Sequence, residues 1–411
     1  MRQLRGLKSL VHDGVDGVTF LVGDGHDAVA RRAVQVGRAV GLREPIEAVD
    51  ALRAAITGAS LGAVRAVNRA VQVATDAALD AMSPAYVLPA PIPLRSDALV
   101  TVRGAADALI GLLNGVVGDH LEASGNGLAV EVGLRWGDRW LDLDAASLSA
   151  QIEGATPRLV VLVHGLSATE TSWCLDAERA LGAADAHYGS LLERDIACRA
   201  VYFRYNSGRP LSICGELLAD TLERLIEAWP VPVEELVLVG HSMGGLVCRA
   251  AVGVGVERGS PWVSKLGRLV AIGSPHQGAP LARGAEALSR LLRSVDTPGT
   301  LITGKLLEIR SLGIRDLQQG ADVRALPLLP QVRYAFFAGS LTRSVNPVTK
   351  VLGDLLVPVR SAEGPVGEHG ARVYTARFPG VAHHALQANA GVYEELRAFV
   401  AGERDAVLVA D

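Results

Sequence analysis

The stretch "ELVLVGHSMGGLVCRAAV", Glu235 to Val252, constrains this chain more than any other. Leu236 to Val239 is a short apolar run, the pattern of a strand buried on both faces. From Leu246 the apolar residues Leu246, Val247, Ala250 and Ala251 recur at helical spacing. A strand therefore ends and a helix begins within about five residues, with Ser242 at the corner. Gly240, Gly244 and Gly245 carry no Cβ, so backbone can pass close to a strained serine. Such a G-x-S-x-G corner projects a serine Oγ above a sheet and aims a helix N-terminus at negative charge forming there. The pattern alone is weak: with 45 glycines in 411 residues, about 0.26 matches arise by chance. A glycine-rich turn is the competing explanation, and the surrounding sequence has to decide.

That surrounding sequence alternates strand and helix patterns. "RLVVLVHG", "ACRAVYFRY", "EELVLVGH", "LGRLVAIGS", "VRYAFFAGS" and "ARVYTARF" read as buried strands, with helical stretches such as Ser212 to Trp229 between several of them. Leu128–Leu134 and Trp140–Leu143 flank Gly137-Asp138, a hairpin signal. The alternation predicts an α/β fold, a mainly parallel central sheet with helices on both faces. Residues 1–125 read instead as a helical N-terminal region. Helices are predicted over Asp27–Val40, from Pro45 to about Gly58, over Ser60–Met82 and over Asp97–Leu121. Residues 126–411 form the predicted catalytic domain. Arg283–Ala325 interrupts it with a mostly helical insertion, long enough to cap the strand ends.

In open α/β sheets, sites form beyond the carboxyl ends of the strands, and the chemistry-bearing residues of this sequence gather there. Ser242 follows one strand. His164-Gly165-Leu166 follows another, so the Leu166 and Met243 N–H groups are candidate donors of an oxyanion hole. His164, beside its glycine, reads as a structural hydrogen-bonder, and His276 in "GSPHQGAP" as a loop stabiliser. A serine hydroxyl needs a base held in place by an acid. His383 and His384 both follow the last strand pattern and precede the terminal helix, while His369 precedes that strand. Asp354 in "GDLLVPVRSAEG" lies between Ser242 and those histidines, the chain order serine, acid, histidine. Glu363 and Glu368 are the fallback acids.

Taken in order, "HGL", "GHSMGG", "GSPHQGAP", the D-x-L-V-P-V-x-S-A around Asp354 and "PGVAHHAL" resemble the lipase-type α/β-hydrolases. Within that superfamily they are most similar to bacterial esterases and lipases grouped with GPI inositol-deacylase-like proteins. The resemblance covers about Arg158 to Val400 and implies an α/β-hydrolase fold. It implies Ser242 as nucleophile, Asp354 as acid and His383 as base, with Leu166 and Met243 donating to the oxyanion. The implied activity is carboxylic-ester hydrolysis through an acyl-enzyme, on an ester or lipid small molecule, with no metal or organic cofactor. An acyltransferase using the same triad and a non-catalytic hydrolase-fold module that binds lipid or a partner are the other two readings.

Composition narrows the partners. The net charge is −4 and no long basic run is present, so nucleic-acid binding has no electrostatic support. "MRQLRGLKSLV" at the start lacks an apolar core of signal-peptide length, and no uncharged apolar run approaches the ~18 residues of a membrane span. The four cysteines show no metal-ligand spacing and read as reduced thiols. The expectation is a cytoplasmic protein, with peripheral association with a membrane allowed.

Overall fold

The computed structural model describes residues 2–39, 43–81, 102–137, 139–182, 185–277, 311–312, 316, 328–340, 354, 357–364 and 370–408. Three helices come first: α1 (Arg2–Ala39), α2 (Arg43–Ala81) and α3 (Val102–Ala123). Then follow β1 (Gly133–Trp136), β2 (Arg139–Leu141), α4 (Ala145–Gln151) and β3 (Arg158–Val163). Next are α5 (Ala177–Leu181), α6 (Tyr188–Asp195), β4 (Arg199–Arg204) and α7 (Leu211–Ala228). The centre holds β5 (Glu235–His241), α8 (Met243–Arg258) and β6 (Leu266–Ile272). The chain continues through β7 (Arg333–Ser340), α9 (Val359–Ala362), β8 (Arg372–Pro379), α10 (Ala390–Ala401) and β9 (Val407–Leu408).

Two compact units divide these elements. One holds α1, α2 and residues 121–129; the other holds α3 up to His120 and the sheet with its helices. In the first unit α1 and α2 run antiparallel, tied by Lys8–Asp76 (2.5 Å) and Arg53–Asp27 (3.0 Å) and by Asn68 donating to Asp16 (3.0 Å). Both helices are longer than the sequence predicts. Helix α1 begins at Arg2 rather than near Asp27, and α2 runs unbroken through Gly58 and Ser60, where two helices are expected. A glycine inside a helix costs only about 1 kcal/mol, and the pairing of α1 with α2 outweighs that. The insertion expected over Arg283–Ala325 lies outside the described residues, apart from Ser311, Leu312 and Asp316.

In the second unit nine described strands form one sheet, ordered β2-β1-β4-β3-β5-β6-β7-β8-β9. The run β4 to β8 is parallel, with β1, β2 and β9 antiparallel at the edges. Side chains alternate between two faces. Leu159, Val161, Leu236 and Leu238 meet Leu218 and Leu222 of α7 and Val247 and Ala251 of α8 on one face. Val160, Leu162, Val237 and Val239 meet Leu191 and Leu192 of α6 and Val392 and Leu396 of α10 on the other. Each such side chain, fully buried, stabilises the fold by about 1.5–3 kcal/mol relative to exposure. This two-sided burial is why the strands read as unbroken apolar runs. From β3 the chain goes to β4 on one side, then crosses to β5 on the other. The carboxyl ends of β3 and β5 thus flank the reversal of strand order, where open α/β sheets carry their crevice.

Candidate active site

Strand β5 ends at His241, α8 begins at Met243, and Ser242 between them has φ 53° and ψ −124°. A serine with positive φ costs of order 1–3 kcal/mol and persists only where its surroundings hold it. The Ser242 N–H donates to the Ile272 carbonyl at the end of β6 (2.8 Å), fixing the corner against the next strand. A Cβ on Gly244 would lie 2.3 Å from the Val163 carbonyl oxygen and 2.6 Å from that of His164. A Cβ on Gly240 would lie 2.3 Å from the Gly245 nitrogen. These glycines let α8 press its N-terminus onto β5 and the end of β3.

After β3 the chain turns at His164-Gly165-Leu166. A Cβ on Gly165 would meet the Ser242 Cβ at 3.0 Å, so this loop lies directly against the corner serine. His164 is fully buried and stacks on Tyr205 with ring centroids 4.4 Å apart. Its Nδ1–H donates to the Gly165 carbonyl (2.9 Å), and its Nε2 accepts from the Tyr205 N–H (3.3 Å). The Tyr205 hydroxyl donates to the His164 carbonyl (2.9 Å). Both ring nitrogens are committed, so His164 shapes the loop. Leu166 is half-buried and packs against the core, and Met243 is fully buried.

A buried charge network, which the sequence does not announce, secures the rest of this loop. Asp107 of α3 accepts from Thr169 (2.7 Å), Thr171 (3.2 Å) and Arg204 (2.6 Å). Glu170, fully buried, takes Arg135 (2.6 Å) and Arg204 (3.1 Å). Burial opposes its ionisation, but Arg204 and Arg135 prevail and hold its carboxyl down to about 2. Each of these residues alone reads as a solvated surface charge. They come from α3, β1, β4 and the loop itself, and no local motif links them.

The other half of the site lies beyond β7 and β8. Asp354 is fully buried and accepts from the Val357 N–H at Oδ1 (2.9 Å) and from His383 Nδ1–H at Oδ2 (2.7 Å). The His383 N–H also donates to the Asp354 carbonyl (3.1 Å). With Nδ1–H engaged, Nε2 carries the lone pair of the neutral ring. His241, the neighbour of Ser242, donates from Nε2 to the His383 carbonyl (3.1 Å), with ring centroids 4.8 Å apart. A Cβ on Gly273, one residue past Ile272, would lie 3.3 Å from His383 Cε1. The Asp354–His383 pair is thus packed beside the two strand ends that hold Ser242. His384 is exposed. Glu363 pairs with Arg377, while Glu368 and His369 lie outside the described residues. His276 is buried against Phe336 and Arg249, and its N–H donates to the Ser361 carbonyl (3.0 Å). Among the described residues no group of three or more His, Cys, Asp or Glu is placed to hold a metal ion, and the four cysteines are buried and form no disulfide.

Residues 155–324 match the family model described as a PGAP1-like alpha/beta domain. The fold is an α/β one, a mainly parallel sheet with helices on both faces. The matched stretch contains Ser242 and the His164 loop and ends before Asp354 and His383. No curated protein matches the chain. Among solved structures, the chain is similar to a Bacillus licheniformis lipase in its propeptide form, with 15% identity and a TM-score of 0.45, over 63% of this chain and 53% of that one. It therefore spans about half the length of that lipase form. The mature form of the lipase shows 16% identity and a TM-score of 0.39, over 60% of this chain and 93% of that one. An esterase of Pyrobaculum calidifontis shows 14% identity and a TM-score of 0.37, over 61% and 77%. Among the described residues no helix is long and apolar enough to cross a membrane.

The buried histidines make a stability prediction. Burial pulls His164 down to about 4, and burial also depresses His241 and His276, aided by His383 and by Arg249 respectively. Unfolded histidine titrates near 6.5, so below that pH the unfolded chain takes up protons that the folded chain refuses. Stability is therefore complete above about pH 6.5 and falls as the pH drops, for His164 until about pH 4. At pH 5 His164 alone should cost about 2 kcal/mol. Urea midpoints at pH 7.5 and pH 5 check this; equal midpoints would show that these rings are hydrated.

Proposed function

We propose that this protein is a serine carboxylic-ester hydrolase working through an acyl-enzyme. The carrying observation is the 2.7 Å Asp354–His383 pair, buried beside the strained corner of Ser242. Ser242 Oγ attacks the ester carbonyl as His383 Nε2 takes its proton. Asp354 holds the tautomer and stabilises the imidazolium. The oxyanion is met by the Leu166 and Met243 N–H groups and by the N-terminus of α8. His383 then protonates the departing alcohol, and it next deprotonates the water that releases the acid and regenerates Ser242.

The test is a p-nitrophenyl ester chain-length series with a fluorophosphonate probe, which labels only an activated serine. Hydrolysis with labelling at Ser242 is expected; an unlabelled, inactive folded protein would point to a binding module. Asp354→Asn isolates the acid. Asp354 accepts two N–H groups, from Val357 and His383, whereas an amide offers one oxygen and one donating NH2. The imidazole is then held in the wrong tautomer, and kcat should fall by up to about 10⁴-fold with little change in KM. A near-wild-type Asp354→Asn beside an inactive Glu363→Gln would move the role elsewhere.

A further inference from the structure

The sequence opens nearly every parallel strand with a charged residue, and the register gathers these at the end of the sheet opposite Ser242. Arg158 opens β3, Glu235 opens β5, Arg333 opens β7 and Arg372 opens β8, while Arg268 is near the start of β6. By alternation these five share the face of Val160, Val237, Val270, Ala335 and Tyr374, the face covered by α6 and α10. Arg268, Arg333 and Arg372 are direct partners across β6, β7 and β8. Three guanidinium-bearing residues therefore start from Cα atoms within about 10 Å.

Their only carboxylate among the described contacts is Glu235. It takes Arg158 Nε at 2.7 Å and pairs with Arg268 through its other oxygen. Among the described residues the side chains of Arg333 and Arg372 make no hydrogen bond or ion pair; Arg333 is half-buried and Arg372 exposed. Arg268 is only 7% exposed, and its Nε has no acceptor. The C-terminal end of α10 presses on it: a Cβ on Gly402 would lie 3.3 Å from Arg268 Nη2. That helix end offers little compensation, because its Ala398 and Phe399 carbonyls already accept from Glu403 and Gly402 N–H. Nearby carboxylates are also committed, Glu403 to Arg397 and Glu395 to Arg404; Asp405 is exposed. Among the described residues, four guanidiniums on this face meet one paired carboxylate, Glu235. Burial, and then Arg333 and Arg158, pull Arg268 down to about 10. Like charges aligned on neighbouring strands repel, and a buried charge with an unused donor is expensive to keep.

We propose that this arginine row is a binding site for a phosphate-class oxyanion, seated over Arg268, Arg333 and Arg372. Guanidinium forks match tetrahedral oxyanions with paired hydrogen bonds. A phosphate dianion also offsets more of the excess charge than a carboxylate would. The ligand can be a soluble phosphate or a phosphate headgroup at a lipid surface, and the test separates them.

Calorimetric titration of the full chain with inorganic phosphate, at constant ionic strength against chloride, should show saturable one-site binding. Arg333→Gln and Arg372→Gln, at accessible positions remote from Ser242, should each weaken it at least about tenfold, with ester hydrolysis unchanged. Arg333→Lys should lose most of the affinity while keeping the charge, because it lacks the fork. Phosphatidylcholine vesicles with and without phosphatidic acid supply the second arm. Phosphate binding together with phosphatidic-acid-dependent vesicle binding, both lost in the variants, assigns the headgroup; phosphate binding alone assigns a soluble ligand. No phosphate binding beyond chloride, binding untouched by both glutamine variants, or vesicle binding without phosphate binding overturns the proposal.

Discussion

Ser242→Ala is expected to lower ester hydrolysis by about 10⁶-fold, the usual cost of deleting a triad nucleophile, and to abolish fluorophosphonate labelling. The fold should survive. The change removes one oxygen from a half-buried side chain, while the Ser242 N–H bond to Ile272 that holds the corner belongs to the backbone. Alanine also meets the same conformational strain at φ 53° as serine does. Urea denaturation should place the variant within about 0.5 kcal/mol of the parent, as for substitutions that disturb no packing. A well-folded variant retaining more than a few per cent of activity would remove Ser242 from the mechanism.

His383→Ala is expected to be equally severe, about 10⁶-fold, while its chain neighbour His384→Ala stays active. The two residues are adjacent in sequence and opposite in surroundings. His383 is buried, bonded to Asp354 through Nδ1 and again through its backbone N–H, and its ring lies tilted against that of His241. His384 is exposed. The loss should fall on kcat more than on KM, because the proton transfer occurs in the transition state. His383→Ala also removes a partner of buried Asp354, so some loss of stability is expected, about 3 kcal/mol at most; thermal melts separate that from the chemical effect. An inactive His384→Ala with an active His383→Ala would transfer the base to His384.

The α/β class was legible because each buried strand is a local event. Val160, Leu162, Val237 and Val239 are apolar for the same reason as their neighbours Leu159, Val161, Leu236 and Leu238, since both faces of the sheet are covered. The corner at Ser242 was legible too, because Gly240, Gly244 and Gly245 answer a steric demand made within a few residues of themselves. Helix boundaries in α1 and α2 were not. Glycine lowers helix propensity wherever it stands, but whether the helix breaks depends on the partner helix, here joined through contacts such as Lys8 with Asp76.

Local physics thus determined the order of strands and helices, the serine corner and the set of candidate side chains. Tertiary structure alone decided which candidates meet. Asp354 and His383 stand 29 residues apart, and Arg204 and Asp107 stand 97 apart. No local preference of the chain reports on either pairing. His383 rather than His384 faces Asp354 because sheet register and the turn after β8 set which side of the chain looks inward. The arginine row has the same origin: each arginine opens its own strand, and only parallel pairing sets three of them side by side. The physical reason is that propensity and periodicity are written in neighbouring residues, whereas charge and hydrogen-bond partners are chosen by distances that exist only after the strands have paired.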